Sequence, residues 1–202
     1  MSYAWEAIRT NQAESVTGWS EAQKQNNALI INDYFHRQNG WTVNAVAGML
    51  GNMELESYIN PGQTQIGYSL SDPAGGFGLV QWTPRTKFSN WAGADWETNY
   101  DKQLDRLQQE WLYGLDGQWI PTATDGYMTF DQFAHSTGNP GDLAMTFERS
   151  YERGTPFEAQ RRANANKWYQ YLTGETPPVP VTGNIPVWLL FKIRWDGGTR
   201  RK

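Results

Sequence analysis

The run Ala47-Gly-Met-Leu-Gly-Asn-Met-Glu-Leu-Glu-Ser-Tyr-Ile-Asn-Pro-Gly62 sets the fold of this chain. Val43, Val46, Ala47, Leu50 and Met53 recur at helical spacing, and Thr42 is a residue type that caps helix N-termini, so a central helix is expected over about 42–57, packing inward. Asn60-Pro61-Gly62 stops it. Gly48 and Gly51 inside the helix each cost roughly 1 kcal/mol relative to Ala. Close approach of another backbone, or of a ligand, is the expected compensation. Two acids, Glu54 and Glu56, end the helix. Measured from Val43, Glu54 falls near the middle of the apolar stripe and Glu56 at its edge, beside Met49 and Met53 and one turn beyond Asn52. A partly apolar pocket would keep either acid protonated near neutral pH, ready to donate to a leaving oxygen. On the residues alone, solvated last-turn acids are the favoured reading of both, and helical phase does not choose Glu56.

Working outward, Gly76-Phe-Gly-Leu-Val-Gln-Trp82 follows about twenty residues later, with the texture of a Gly-rich turn that could face the helix end. Upstream, Ser20-Glu-Ala-Gln23 has the pattern of a capping box and opens a helix over about 21–38, ended by Asn39-Gly40. Residues 1–19 read as an arm, with Ala4, Trp5 and Ile8 spaced for a short amphipathic helix. Downstream, an alternation around Gln65–Leu70 suggests one arm of a β-hairpin. Helices are then expected near 82–91 (opened by Thr83-Pro84), 95–112, 129–135, 142–152 and 156–172, the last stopped at Thr173-Gly174. The expected class is mainly α, a helical bundle around one central helix with a small β-hairpin and loop region. The expected organisation is an arm over 1–19, one domain over 20–174, a Pro-rich linker over 175–184 and a short basic, aromatic segment over 185–202.

Composition narrows the chemistry. The chain has 202 residues, enough for one substantial core, and no cysteine, which removes disulfides and thiolate chemistry. A net charge of −4 disfavours nucleic acid as a ligand. That charge is uneven, +3 over residues 175–202 and −7 over residues 1–174. No apolar run is long enough to span a bilayer, and Met1–Thr10 has no apolar signal-peptide core, so export by a cleaved signal is not expected. His36 and His135 are in no metal-ligand spacing, and Gly75-Gly-Phe-Gly78 lacks the Lys-Ser/Thr of a phosphate loop. Neither a metal nor a cofactor is expected. Eleven tryptophans and ten tyrosines suit either a groove that stacks on sugar faces or an aromatic core. Carboxylate chemistry remains.

The run Ala47–Ser57, with Ile59-Asn-Pro-Gly62 and Gly76-Phe-Gly-Leu-Val-Gln-Trp-Thr-Pro84, resembles the phage tail lysozyme family. The Glu-Ser…Gly-Leu-Val-Gln order is also similar to that of lytic transglycosylases and goose-type lysozymes. The resemblance covers about residues 20–173, including Ala144-Met-Thr-Phe-Glu-Arg-Ser-Tyr-Glu-Arg153 and the closing Arg161…Trp168-Tyr169 helix. It implies a lysozyme-like fold and a peptidoglycan-cleaving muramidase or transglycosylase that acts on the glycan strand. Such a protein would be carried on the virion tail beside other tail proteins, or released from the host cytoplasm to the wall as an endolysin. It places the catalytic acid on Glu56, and Glu54 at a position that need not be acidic. Gln81 would face the sugar chain, with Trp82 and Asn52 as further substrate contacts, and Tyr151 resembles the tyrosine that some transglycosylases set near the acid. Asp72 is the best-placed second carboxylate by sequence, although a turn residue before Pro73 is an equal reading. A non-catalytic glycan-binding or tail-assembly module is the alternative.

Overall fold

The capping box at Ser20 forms: Ser20 Oγ accepts from the Gln23 N–H, and the Ser20 N–H donates to Gln23 Oε1 at 2.8 Å. Helix α1 (Glu21–Asn32) follows and runs on through a π-helical segment, Asp33–Gln38. Helix α2 (Val43–Ser57) starts as its sequence dictates, with Thr42 Oγ1 accepting from the Ala45 N–H at 3.1 Å. It ends through Tyr58 and Ile59, two non-glycine residues with φ of 57° and 55°. These are the findings of a computed structural model, which describes residues 2–11, 19–154 and 157–178. The segment expected at 185–202, and the linker beyond residue 178, lie outside the described residues.

Around α2 are arranged α3 (Thr86–Ala92), α4 (Asp101–Tyr113), α5 (Phe130–Ala134), α6 (Pro140–Phe147) with a π-helical extension at Glu148–Glu152, and α7 (Glu158–Thr173). The two glycines of α2 explain its central place. A Cβ on Gly48 would sit 2.9 Å from Leu143 Cβ of α6, and one on Gly51 only 2.7 Å from the Arg161 carbonyl oxygen of α7. Helices α6 and α7 thus approach the α2 backbone more closely than any side chain would permit, and the packing gained offsets the helix propensity lost.

Aromatic rings fill the interior. Trp41 and Trp168 are fully buried, and Trp119 stacks on Phe130 at 4.4 Å beside Phe133, Phe147 and Tyr151. Most of the tryptophan content is therefore core. The fold is mainly α, as expected, but the hairpin is reduced. Among the described residues, β pairing is limited to isolated bridges, Thr10 with Gln63, Thr64 with Phe77 and Phe77 with Trp82. The alternation at Gln65–Leu70 is too short to hold a strand: Gly67 turns at φ 87°, and the Gln65 N–H donates to Gly76 O at 2.9 Å. The arm also differs from expectation. Residues 2–11 run extended along the body, not as a helix, because side chains there satisfy the backbone. Asn60 Oδ1 accepts from the Ile8 N–H at 3.1 Å, Asn60 Nδ2 donates to Ile8 O at 2.7 Å, and Trp5 Nε1 donates to Asp101 Oδ1 at 2.8 Å.

Candidate active site

The two acids at the end of α2 meet different surroundings. Glu54 turns inward, where its Oε1 accepts from Lys24 Nζ at 3.2 Å and Lys167 Nζ at 2.7 Å, and its Oε2 from Trp168 Nε1 at 2.8 Å. Every acceptor of this 8% exposed residue is committed to tying α1 and α7 to α2. Glu54→Gln is accordingly expected to lower stability in chemical denaturation by about 1–3 kcal/mol while leaving the cleft chemistry in place. Glu56, two residues on, opens into a cleft of about 780 Å³. Its Oε1 accepts from Arg161 Nη2 at 2.7 Å, and its side chain keeps 23% of its surface in solvent.

Asn52 stands behind this pair. It is fully buried, its Nδ2 donates to Gly48 O and Ala144 O, and its Oδ1 accepts from Arg161 Nη1 at 2.7 Å. Asn52 therefore holds Arg161, which holds Glu56, and it does not itself line the cleft.

The facing wall is the Gly76–Trp82 loop, locked to the α2 end by buried polar groups. Ser57 Oγ, the serine of the Glu-Ser pair, donates to Leu79 O at 2.9 Å. Gln103 of α4 accepts from the Leu79 N–H at 2.8 Å and donates to Pro61 O at 2.8 Å. Gln81 sits on the cleft with φ 50°, its amide donating to Gly78 O and Gln63 O at 2.9 and 3.1 Å. Trp82 and Tyr151 both line the cleft and share one support, Glu110. Its Oε1 accepts from Trp82 Nε1 at 3.1 Å and from Arg106 Nε at 2.8 Å, and its Oε2 from Tyr151 Oη at 2.5 Å. Burial pushes the Glu110 carboxyl above the usual range, opposed by these donors, and pushes the Tyr151 hydroxyl well up as well. Tyr151 is thus a protonated donor turned to Glu110.

The structure brings Glu56, Gln81, Trp82 and Tyr151 to one cleft. It does not bring Asp72 there: Asp72 Oδ1 accepts from the Ala74 N–H at 2.9 Å, closing a turn around Pro73. Arg161 and Glu152 are cleft residues that sequence reasoning missed, as are Ile66 and Phe157, which are 60% and 62% exposed at its rim. The closing Arg161 helix was recognisable as a motif, but nothing local marks a guanidinium as the partner of a carboxylate 105 positions away.

A family profile described as phage tail lysozyme matches residues 26–172. Morphogenesis protein 1 of Bacillus phage B103 is 43% identical over 152 residues, a stretch that covers 74% of this chain and 40% of that protein. The chain thus matches well under half the length of that relative. Since the matched residues run from α1 through α7 and take in both walls of the cleft, the chain belongs to the phage tail lysozyme family.

Proposed function

We propose that this chain cleaves the β-1,4 bond between N-acetylmuramic acid and N-acetylglucosamine in bacterial peptidoglycan, with Glu56 as general acid. One observation carries the reading: of the two acids ending α2, Glu56 opens into the cleft, whereas Glu54 is consumed by Lys24, Lys167 and Trp168. A glycan strand lies between the α2 end and the Gly76–Trp82 loop. Gln81 faces the sugars, and the exposed side chains of Ile66 and Phe157 offer them apolar surface, while Trp82 is buried in the wall behind and supports it. Arg161, itself held by Asn52, fixes the orientation of the Glu56 carboxyl. Glu56 gives its proton to the leaving oxygen as the bond breaks, and the oxocarbenium-like sugar is captured by water or by its own hydroxyl. No step is assigned to Asp72, whose carboxylate serves its turn, and Asp72→Asn is expected to cause a partial loss of wall clearing at most, read by turbidity.

The family description supports action from the virion tail, beside other tail proteins, over a free endolysin, and the printed name of the phage relative adds a part in building the virion. That same name, Morphogenesis protein 1, favours a second reading, a tail-assembly module that grips wall glycan without cutting it. Purified peptidoglycan incubated with the protein separates the two. Release of new reducing ends or anhydro-muramic products, resolved by mass spectrometry, is the expected result. Co-sedimentation with the wall and no released product would overturn it in favour of the module.

A further inference from the structure

Two cations of the cleft have no part in the mechanism above. The lining holds Lys87, Arg153 and Arg161 against the acids Glu56 and Glu152, and of these Arg161 is committed to Glu56. Lys87, in the first turn of α3, and Arg153, just beyond the π-helical extension of α6, are both exposed, and neither forms an ion pair among the described residues. Arg153 is nonetheless held in place. Its Nη1 donates to Gln118 O at 2.7 Å and to Ser150 O at 3.0 Å, and Gln118 Nε2 donates to Tyr151 O at 2.9 Å. The Nε–Nη2 edge of the guanidinium is left without a hydrogen bond among the described residues, and that edge carries the two parallel N–H groups that match a carboxylate. The backbone of Arg153 has φ 52°, a conformation in which glycine ends a helix without strain. The next residue passes the general acid: a Cβ on Gly154 would lie 3.9 Å from Glu56 Oε1 and 3.7 Å from Arg161 Nη2.

Resting on the reading of the cleft as a peptidoglycan site, we infer that Arg153 and Lys87 bind carboxylates of the peptide stem carried by muramic acid, so that the cleft selects stem-bearing glycan over a neutral one. N-acetylated sugars are uncharged and are held by apolar surface and amides, which leaves exposed cations in a sugar cleft without a role. The stem supplies one. It hangs from the lactyl group of muramic acid, a few bonds from the glycan backbone, and it ends in a free carboxylate. Arg153 stands one residue from the chain that passes Glu56, where a stem beside the cleaved bond would lie. Residues 1–174 carry a net charge of −7, so the body as a whole repels an anionic wall polymer, and attraction has to come from local cations at the cleft.

The test compares two substrates that differ only in charge: soluble peptidoglycan strands freed of phosphate polymers, with their stem carboxyls intact or converted to amides. For the wild type, KM on the amide strands is expected to lie about three- to tenfold above that on intact strands. The kcat should change little, as for a contact made equally in the ground and transition states, and the gap should close at high salt. Arg153→Gln is expected to raise KM on intact strands by a similar factor and on amide strands much less. Lys87→Gln removes an exposed side chain with no hydrogen bond or ion pair among the described residues, so its fold is not at stake, and it should act in the same direction. Equal wild-type KM for the two strands, or variant losses equal on both as a merely structural role would give, overturns the proposal. A charge preference seen only in wall that keeps its phosphate polymers overturns it too. Calorimetric binding of both strands to Glu56→Gln reads the stem contacts without turnover. Tighter binding of intact strands beside an inactive wild type counts against the general-acid reading alone, and equal affinity counts against the stem contacts alone.

Discussion

Glu56→Gln is expected to lower product release from purified peptidoglycan by about 10²–10⁴-fold, while unfolding at nearly the wild-type denaturant midpoint. The loss follows from the loss of a transferable proton, since an amide cannot protonate a leaving alkoxide. The preserved stability follows from shape: the amide oxygen of glutamine can still accept from Arg161 Nη2, where Glu56 Oε1 accepts at 2.7 Å, so the guanidinium is not stranded. Glu54→Gln is the internal comparison because it alters the same helix end in the opposite sense, weakening the Lys24, Lys167 and Trp168 cluster and sparing the cleft. Equal activity losses in the two variants, or full activity in Glu56→Gln, would refute the assignment of roles.

Gly51→Ala carries the largest expected effect on the fold, and two physical terms oppose each other there. Helix propensity alone favours alanine by roughly 1 kcal/mol. Packing forbids it: the new Cβ would lie 2.7 Å from Arg161 O and 2.8 Å from both the Ala165 N and Cβ, which are backbone or first-carbon atoms that cannot swing aside. Helix α7 must move as a body, and the net expectation is destabilisation by about 2–3 kcal/mol, a fall in melting temperature of roughly 5–10 °C for a chain of this size. Activity should fall in the protein that remains folded, because α7 carries the guanidinium that orients Glu56. A stabilised, fully active Gly51→Ala would mean that α7 does not ride on the α2 backbone.

Much of the helical framework was legible because its signals are local. Ser20 with Gln23 and Thr42 with Ala45 are partners three residues apart, and the chain cannot help but bring them together once a helix turns. The inward phase of Glu54 was equally readable, and it marks that residue as buried. What phase could not convey was the nature of the neighbours. A carboxylate turned inward is a reactive acid in an apolar pocket and an inert strut among lysines, and the lysines come from α1 and α7. The β region was misjudged for a related reason. Six alternating residues make a strand only if a partner pairs with them, and here the partner backbone meets Thr64 and Gln65 and then leaves.

By itself, then, the sequence determined a mainly α chain built on one central helix, the two glycines where that helix must touch its neighbours, and, through resemblance, which loop should face its end. The tertiary structure alone decided the site's electrostatics. Glu56 against Arg161, Asn52 behind Arg161, and Glu110 beneath both Trp82 and Tyr151 are contacts across 28 to 109 positions of chain, and Glu152 lines the same cleft from another element. Periodicity and capping act over three or four residues, so they specify elements. Which charges the elements share is set only when their faces are pressed together and water is excluded between them.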